Sequence, residues 1–216
     1  MLAAYRTIAQ DGVNEIEIKK SRFICTVARV TTDEDARKVI ADLKKQYWDA
    51  NHNCSAYVIG ERGQIQRSSD DGEPSGTAGV PMLTVLQKQG VTDVVAVVTR
   101  YFGGTLLGAG GLIRAYGQSV SLALREVGIV EMQPRLIVAI DASYDDAGRL
   151  ENALRQTDFI LKEVEYGNSV TFTLQTTSEE LPILSTWVAE STNGACEVIE
   201  IGEELVEVPI TPAGEE

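Results

Sequence analysis

A short apolar run near the middle of the chain constrains the fold more than any other segment. Val94-Val95-Ala96-Val97-Val98 is apolar at five consecutive positions and rich in β-branched residues, so the strand that it predicts has to be covered on both faces. The strand is expected to end at Arg100, and a glycine-rich loop then leads into a helix from about Gly110 to Arg125. This order favours a layered fold in which helices cover a central strand.

The residues before this run predict two strands, a helix, a hairpin and a short second helix. Apolar residues lie on one face of the first helix, and Thr31 and Glu34 have the spacing of a capping box at its start. Pro81 is expected in the first turn of the second helix. The expected elements cover residues 13–19, 23–30, 31–47, 54–60, 64–67 and 81–89.

The residues from about Pro134 onward predict the order βαββαβ within about 80 residues, which is typical of ferredoxin-like domains. The expected elements cover residues 135–143, 144–156, 159–166, 169–177, 178–191 and 196–208. The sequence therefore predicts an α+β protein with two domains, over residues 1–134 and 135–216.

The charged residues are divided unevenly between these two parts. Residues 1–134 carry 15 basic and 15 acidic side chains, whereas residues 135–216 carry 4 basic and 17 acidic ones and so account for the net charge of −13. This asymmetry supports two domains and places any anion-binding surface on the first.

The composition is typical of a cytosolic protein that does not associate with a membrane. No apolar run approaches the roughly 20 residues of a membrane span, and residues 1–6 lack the apolar core of a signal peptide. The three cysteines, Cys25, Cys54 and Cys196, are far apart in sequence, which favours reduced thiols over a disulfide framework.

The glycine-rich loop predicts an anion-binding site. It joins a buried strand to the start of a helix, where unpaired amides and the helix dipole favour negative charge. Arg100 and Arg114 could add positive charge. The segment is neither a Walker loop nor a dinucleotide fingerprint. Alternatively, the glycines only allow a tight turn and close packing of the helix on the sheet.

A second loop, residues 70–81, carries three carboxylates within four positions: Asp70, Asp71 and Glu73. They could hold Mg²⁺, or they could form turns and ion pairs with Arg22, Arg100 or Arg114. The ion-pair network is the preferred interpretation, and Ser75 and Thr77 are interpreted as loop caps or ligand contacts.

His52 is the only histidine and lies two residues before Cys54. One histidine and one cysteine cannot complete a zinc site of three or four ligands. His52 is therefore interpreted as a hydrogen-bonding member of the polar site, with a role as catalytic base as the alternative.

Four segments together resemble the signature of the IMPACT family, in its bacterial, YigZ-like branch. They are Lys20–Phe23, His52–Tyr57, Asp71–Pro81 and Arg100–Gly104 followed by Leu107–Tyr116. The resemblance covers about residues 15–130. It implies a first domain with the ribosomal-protein-S-five domain-two-like fold and a second domain similar to the ferredoxin-like domain V of elongation factor G. It also implies a link to translation control, and it implies no catalytic residues.

The leading hypothesis is a non-enzymatic binding protein that engages RNA, the ribosome or a translation-associated protein through the first domain. Three arginines would contact phosphate, the glycine-loop amides would position it, and Asp71 and Glu73 would orient the arginines. The expected ligand-binding residues are Arg22, His52, Asp71, Glu73, Ser75, Thr77, Arg100, Gly103, Gly104, Gly108, Gly110, Gly111 and Arg114.

Two alternatives remain from the sequence. One is a metal-assisted hydrolase or phosphotransferase that uses Asp71, Glu73 and His52. The other is a protein–protein interaction module whose acidic second domain contacts a basic partner. The leading hypothesis needs no cofactor and no resident metal ion.

Overall fold

A computed structural model describes residues 2–210 and divides them into two compact units. One contains residues 5–132 and 207–210, and the other contains residues 2–4 and 133–206. Each combines helices with β-strands, and the predicted α+β fold with two domains is confirmed. The predicted boundary after residue 134 stays a prediction, and the outermost residues of the predicted domains, Met1 and 211–216, lie outside the described range.

The larger unit is built on a five-stranded antiparallel sheet with the order β2-β3-β6-β4-β5. A separate short strand, β1, pairs antiparallel with the first residues of β7. The elements are β1 Tyr5–Ile8, β2 Gly12–Ile18, β3 Ser21–Arg29, α1 Asp33–Gln46, β4 His52–Ile59, β5 Ile65–Ser69, α2 Gly79–Gln89, β6 Val94–Tyr101, α3 Ala109–Val127 and the start of β7 Ile129–Ala142.

The central strand β6 is covered on both faces, as the apolar run predicted. Val94, Ala96 and Val98 belong to the core shared with α2 and α3, whereas Val95 and Val97 pack in the core that contains α1. Since side chains alternate along a strand, the next residue of the first series is Arg100, which therefore lies on the α2–α3 face. This alternation places the candidate site on that face.

One local prediction in this unit needs correction, and one short strand was missed. The residue that caps α1 is Thr32 rather than Thr31, and its hydroxyl oxygen accepts a hydrogen bond from the Asp35 amide at 3.1 Å. Two adjacent threonines followed by several acids allow either register, so the sequence pattern alone did not distinguish them. Strand β1 was not predicted, because four residues are too few to show a clear period.

The smaller unit has the predicted βαββαβ order. Its strands and helices are the later part of β7, α4 Tyr144–Leu154, β8 Ile160–Tyr166, β9 Val170–Thr176, α5 Leu181–Ser191 and β10 Val198–Pro209. β7 pairs with both β9 and β10, and β9 pairs with β8, which is the strand order of a ferredoxin-like sheet. Within residues 2–210, no helix has the length and apolar character that crossing a membrane requires.

Candidate functional site

A cleft of about 440 Å³ lies where β4 and β6 meet the two loops that the sequence analysis identified. His52 and Arg100 are paired across the two strands and line the cleft with Glu73 from the acidic loop. The glycine-rich loop and the start of α3 form the apolar side, with Phe102, Leu106, Leu107, Gly108, Ala109 and Leu112. The cleft thus combines a small polar floor with apolar walls.

The polar floor is organised by a buried ion pair. An Nη1 hydrogen of Arg100 is donated to Glu73 Oε1 at 2.6 Å, and the two side chains are only 7% and 3% exposed. The Tyr116 hydroxyl donates to the same oxygen at 2.8 Å, and burial raises the pKa of Tyr116 above its ordinary value. The Phe23 ring lies 5.4 Å from the guanidinium carbon. Arg100 is therefore neutralised and enclosed.

His52 contributes a hydrogen-bond acceptor to the cleft. Its Nδ1 atom lies 2.8 Å from the carbonyl oxygen of Asp71, and since a carbonyl oxygen only accepts, Nδ1 carries the hydrogen. In the neutral ring Nε2 is then an acceptor, and it lies 3.9 Å from Glu73 Oε2, beyond hydrogen-bond distance.

Cys54 lies beneath this floor and is not arranged as a nucleophile. Its sulfur lies 2.9 Å from the Asp70 carbonyl oxygen and 3.3 Å from the Tyr116 hydroxyl. Burial raises the pKa of the Cys54 thiol to about 12, so the reactive thiolate is disfavoured.

Asp70 organises the acidic loop from inside. Its carboxylate accepts hydrogen bonds from the backbone amides of Gly76 at 2.8 Å, Ala78 at 3.1 Å and Gly79 at 2.8 Å. α2 begins at Gly79, and its N-cap residue Ala78 has no capping side chain of its own, so Asp70 supplies the cap from a distance in sequence. The burial of Asp70 opposes its ionisation, but these three amides outweigh it and lower the pKa of the carboxyl.

Asp70→Ala is expected to lower the free energy of unfolding by about 2 kcal/mol, because three amides lose a charged acceptor. Since the folded-state pKa is lowered, the stabilisation is present above the unfolded value of about 3.9 and is lost as pH falls through the folded value. Urea unfolding of wild type and variant at neutral and at strongly acidic pH measures this. A difference that is unchanged at the acidic pH would contradict it.

The other polar residues of the acidic loop are Asp71, Ser75 and Thr77. Asp71 accepts from Lys44 Nζ and from the Asn53 amide, both at 2.6 Å, so it does not orient an arginine as was predicted. The Thr77 hydroxyl donates to the Pro74 carbonyl oxygen at 2.6 Å, which is a loop cap, and Ser75 is exposed. Asp71 and Glu73 therefore both form ion pairs, as the preferred interpretation predicted. Glu73 pairs with Arg100, but Asp71 pairs with Lys44, which was not among the predicted partners.

The three arginines that were expected to converge lie apart. Arg22 alternates with the buried Phe23 and so lies on the other face of β3, where it forms two hydrogen bonds with Glu15, at 2.8 and 3.0 Å. Arg114 is exposed and lines a separate groove between α2 and α3. It follows the cleft residue Leu112 by two positions, about 200° around the helix. The predicted arrangement of three arginines around one phosphate is wrong.

In the glycine-rich loop, close packing requires glycine at position 103, and a positive φ favours glycine at positions 104 and 108. A Cβ atom on Gly103 would lie 2.0 Å from the carbonyl carbon of Lys20, so only glycine fits against that backbone. Gly108 has a φ of 72° and precedes the first turn of α3, where Gly110 and Gly111 lie. Gly104 lies in the loop between them. Of the five, only Gly108 lines the cleft.

The sequence analysis did not identify the apolar walls of the cleft. Leu106 is 82% exposed and Phe102 45%, and both lie at the cleft beside the polar floor. The signal was present in the glycine-rich loop, whose Phe102, Leu106 and Leu107 are apolar residues in a segment read only for its glycines and arginines.

The described residues offer no candidate metal centre. Within residues 2–210, no group of three or more His, Cys, Asp or Glu side chains is arranged so that it could hold a metal ion. Asp71 and Glu73 each bind a cationic side chain instead, with Lys44 and Arg100 as the respective partners.

Comparison with known proteins identifies both parts of the chain. Residues 19–124 match the model of the Impact N-terminal domain, and residues 140–195 match that of a domain of unknown function, DUF1949.

Similar full-length relatives and a solved structure agree with these matches. IMPACT family member YvyE of Bacillus subtilis is 52% identical over 200 residues, which cover 93% of this chain and 92% of the relative. IMPACT family member YigZ of Escherichia coli is 36% identical over 189 residues, covering 87% and 93%. A structure titled "Crystal structure of an hypothetical protein" has a TM-score of 0.59 and 33% identity over 94% of this chain and 99% of that one. The chain therefore belongs to the IMPACT family.

Proposed function

We propose that this chain is a non-enzymatic binding protein linked to translation regulation, and that its N-terminal domain binds a translation-associated protein through the cleft. The link to translation is what the family resemblance implies. The chemistry of the cleft supports a protein as the partner. Phe102 and Leu106 are exposed there, beside a polar floor whose arginine is neutralised by Glu73.

An apolar cleft of this kind suits a protein segment. Binding energy in protein interfaces is concentrated in a few apolar or aromatic anchors that lose their contact with water on binding. Leu106 and Phe102 are exposed in the unbound chain and would lose that exposure beneath a partner. The polar floor would then fix the orientation of the bound segment.

The electrostatics favour protein over RNA. Nucleic-acid affinity depends on several cations that replace the counterions of phosphate groups. Arg100 is paired with Glu73 and Arg22 with Glu15, residues 1–134 have no net charge, and the chain carries −13. These observations support a partner that offers apolar side chains.

The enzymatic alternative receives no support from the geometry. Glu73 already binds Arg100 and Tyr116, and Asp71 binds Lys44 and the Asn53 amide. The imidazole of His52 donates to the Asp71 carbonyl oxygen through Nδ1, and its Nε2 atom lies 3.9 Å from Glu73 Oε2, beyond hydrogen-bond distance.

Site-specific photocrosslinking in cells tests the proposal. A benzoylphenylalanine at position 106 is expected to crosslink to a ribosomal protein or translation factor, and one at the exposed Val13, on β2 outside the cleft, is not. Crosslinks from position 106 mainly to RNA, or the same crosslinks from both positions, would remove the proposal.

Leu106→Asp is expected to weaken binding of the crosslinked partner at least tenfold, since a charge would replace an apolar anchor. Because Leu106 is 82% exposed, the free energy of unfolding should change by less than about 0.5 kcal/mol. Calorimetric titration with the purified partner and urea unfolding measure the two effects. Unchanged affinity would mean that the cleft is not the binding surface.

A further inference from the structure

A groove of about 640 Å³ between α2 and α3 lies apart from the cleft and has no part in the proposed function. Its walls are apolar and open to solvent. Val80 of α2 is 53% exposed and Ile113 of α3 is 44% exposed, and Pro81 and Val85 line the groove beside them. Exposed apolar side chains that are grouped in a concave surface are typical of interaction sites. The groove therefore has the character of a second binding surface.

Gly117 lines this groove in the interior of α3, where glycine is a poorer helix former than alanine. Packing within the chain does not require glycine at this position. A Cβ atom would meet nothing closer than Val85 Cγ2, at 3.7 Å, which is an ordinary contact, and the φ of Gly117 lies outside the left-handed region. Bare backbone in a groove allows another chain to approach closely. Gly117 therefore indicates an occupant that comes from outside the chain.

Arg114 gives the groove a positive charge. It lines the groove, and none of the described residues forms an ion pair or a side-chain hydrogen bond with it. None of the residues that line the groove is acidic, and the only acidic residue of α2 and α3 is Glu126, in the last turn of α3. Since the whole chain carries −13, this surface is a local exception. Charge complementarity therefore favours a partner with an acidic side chain.

The groove suits a helical partner better than an extended one. Apart from Gly76, its lining residues belong to α2 and α3, so it presents no strand edge to which an incoming backbone could bind. An extended segment that is buried there would leave many of its amides and carbonyl groups unpaired, whereas a helix pairs them internally. An amphipathic helix that lies in an apolar groove is a common mode of recognition.

We propose that the groove between α2 and α3 binds an amphipathic helix of a protein partner, and that this helix carries an acidic side chain that pairs with Arg114. Its apolar face contacts Val80, Val85 and Ile113, and its backbone approaches Gly117. Because this surface is separate from the cleft, the inference goes beyond the proposed function.

A phage-displayed library of helical peptides, selected on the full chain, tests the inference. Selection retains the peptides that bind the wild-type chain and not Gly117→Leu, whose side chain would fill the groove. These peptides are expected to carry apolar residues at positions i, i+3 or i+4, and i+7, with an acidic residue beside them. Failure to recover such peptides, or recovery of peptides with basic residues in place of the acidic one, would overturn the inference.

A charge exchange at Arg114 locates the acidic contact. A selected peptide and its match with lysine in place of the acidic residue are titrated, by fluorescence anisotropy, with the wild-type chain and with Arg114→Glu. The acidic peptide is expected to bind Arg114→Glu at least about fivefold more weakly than wild type, whereas the lysine peptide should prefer the variant. Arg62→Glu makes the same change in net charge at an exposed turn between β4 and β5 and should leave both preferences unchanged. Equal losses in the two arginine variants would contradict a direct pair with Arg114.

The test remains decisive if one variant fails to fold. Arg114 is exposed and has no partner among the described residues, so the charge exchange decides the result without Gly117→Leu. A single-stranded RNA oligonucleotide is titrated in parallel. RNA binding that is lost in Arg114→Glu, together with peptide affinities that do not change, would assign the groove to nucleic acid and overturn the inference. Crosslinks from position 106 report on the cleft alone, so either proposal can fail while the other stands.

Discussion

Arg100→Met is expected to lower the free energy of unfolding by about 3–5 kcal/mol, because it leaves the carboxylate of Glu73 buried without its cation. Methionine keeps much of the side-chain volume, so the loss reports mainly on charge and hydrogen bonding. The hydrogen bond from Tyr116 remains and offsets only part of it. Urea unfolding at neutral pH measures the change.

The control is the double variant Glu73→Gln with Arg100→Met, which removes both charges. It is expected to lose about 2 kcal/mol less than the sum of the single variants, since groups in one buried network couple strongly. Arg22→Met, which breaks the exposed pair with Glu15, should cost less than about 1 kcal/mol. Additive losses in the double variant would show that the ion pair does not organise the cleft.

Gly103→Ala is expected to destabilise the chain by about 3 kcal/mol or more. The new Cβ would lie 2.0 Å from the Lys20 carbonyl carbon, 2.1 Å from its oxygen and 2.4 Å from the Ser21 nitrogen. All three are backbone atoms, so neither a side-chain rotation nor a small shift relieves the clash. The Gly103 amide also donates to the Ser21 hydroxyl at 3.1 Å, and that contact would be disturbed. Thermal and urea unfolding report the loss.

Gly110→Ala provides the matched comparison from the same glycine-rich segment. A Cβ at Gly110 meets no atom within 4 Å, and the residue lies in α3, where alanine is the better helix former. This variant should be neutral or stabilising by up to about 1 kcal/mol. Similar losses in Gly103→Ala and Gly110→Ala would mean that close packing is not what requires glycine at position 103.

The contacts of Arg100 and Gly103 change the interpretation of the glycine-rich segment. The sequence analysis favoured a role in anion binding, with Arg100 as one of the arginines that contact the anion and are oriented by Asp71 and Glu73. In the structure, Arg100 is enclosed by Glu73 and Phe23, and Gly103 lets its loop approach the turn before β3. The segment supplies the apolar wall of the cleft, whereas the ligand roles of its residues stay predictions.

The strands and helices could be predicted because their signals are local. The continuous apolar run of β6, the spacing of apolar residues in α1 and the βαββαβ order of the second unit depend on residues near one another in the chain. The caps were less certain, since Thr31 and Thr32 offer two registers, and β1 was too short to detect.

The sequence by itself determined the α+β class, the central strand covered on both faces and the two loops that form the cleft. Only the tertiary structure decided which charged groups meet, because that depends on contacts between distant residues such as Arg100, Glu73 and Tyr116. Strand alternation placed Arg22 on the other face, and the turn of α3 directed Arg114 away. A residue's type shows which charge it carries, but its neighbours in space decide whether that charge is free to bind a ligand.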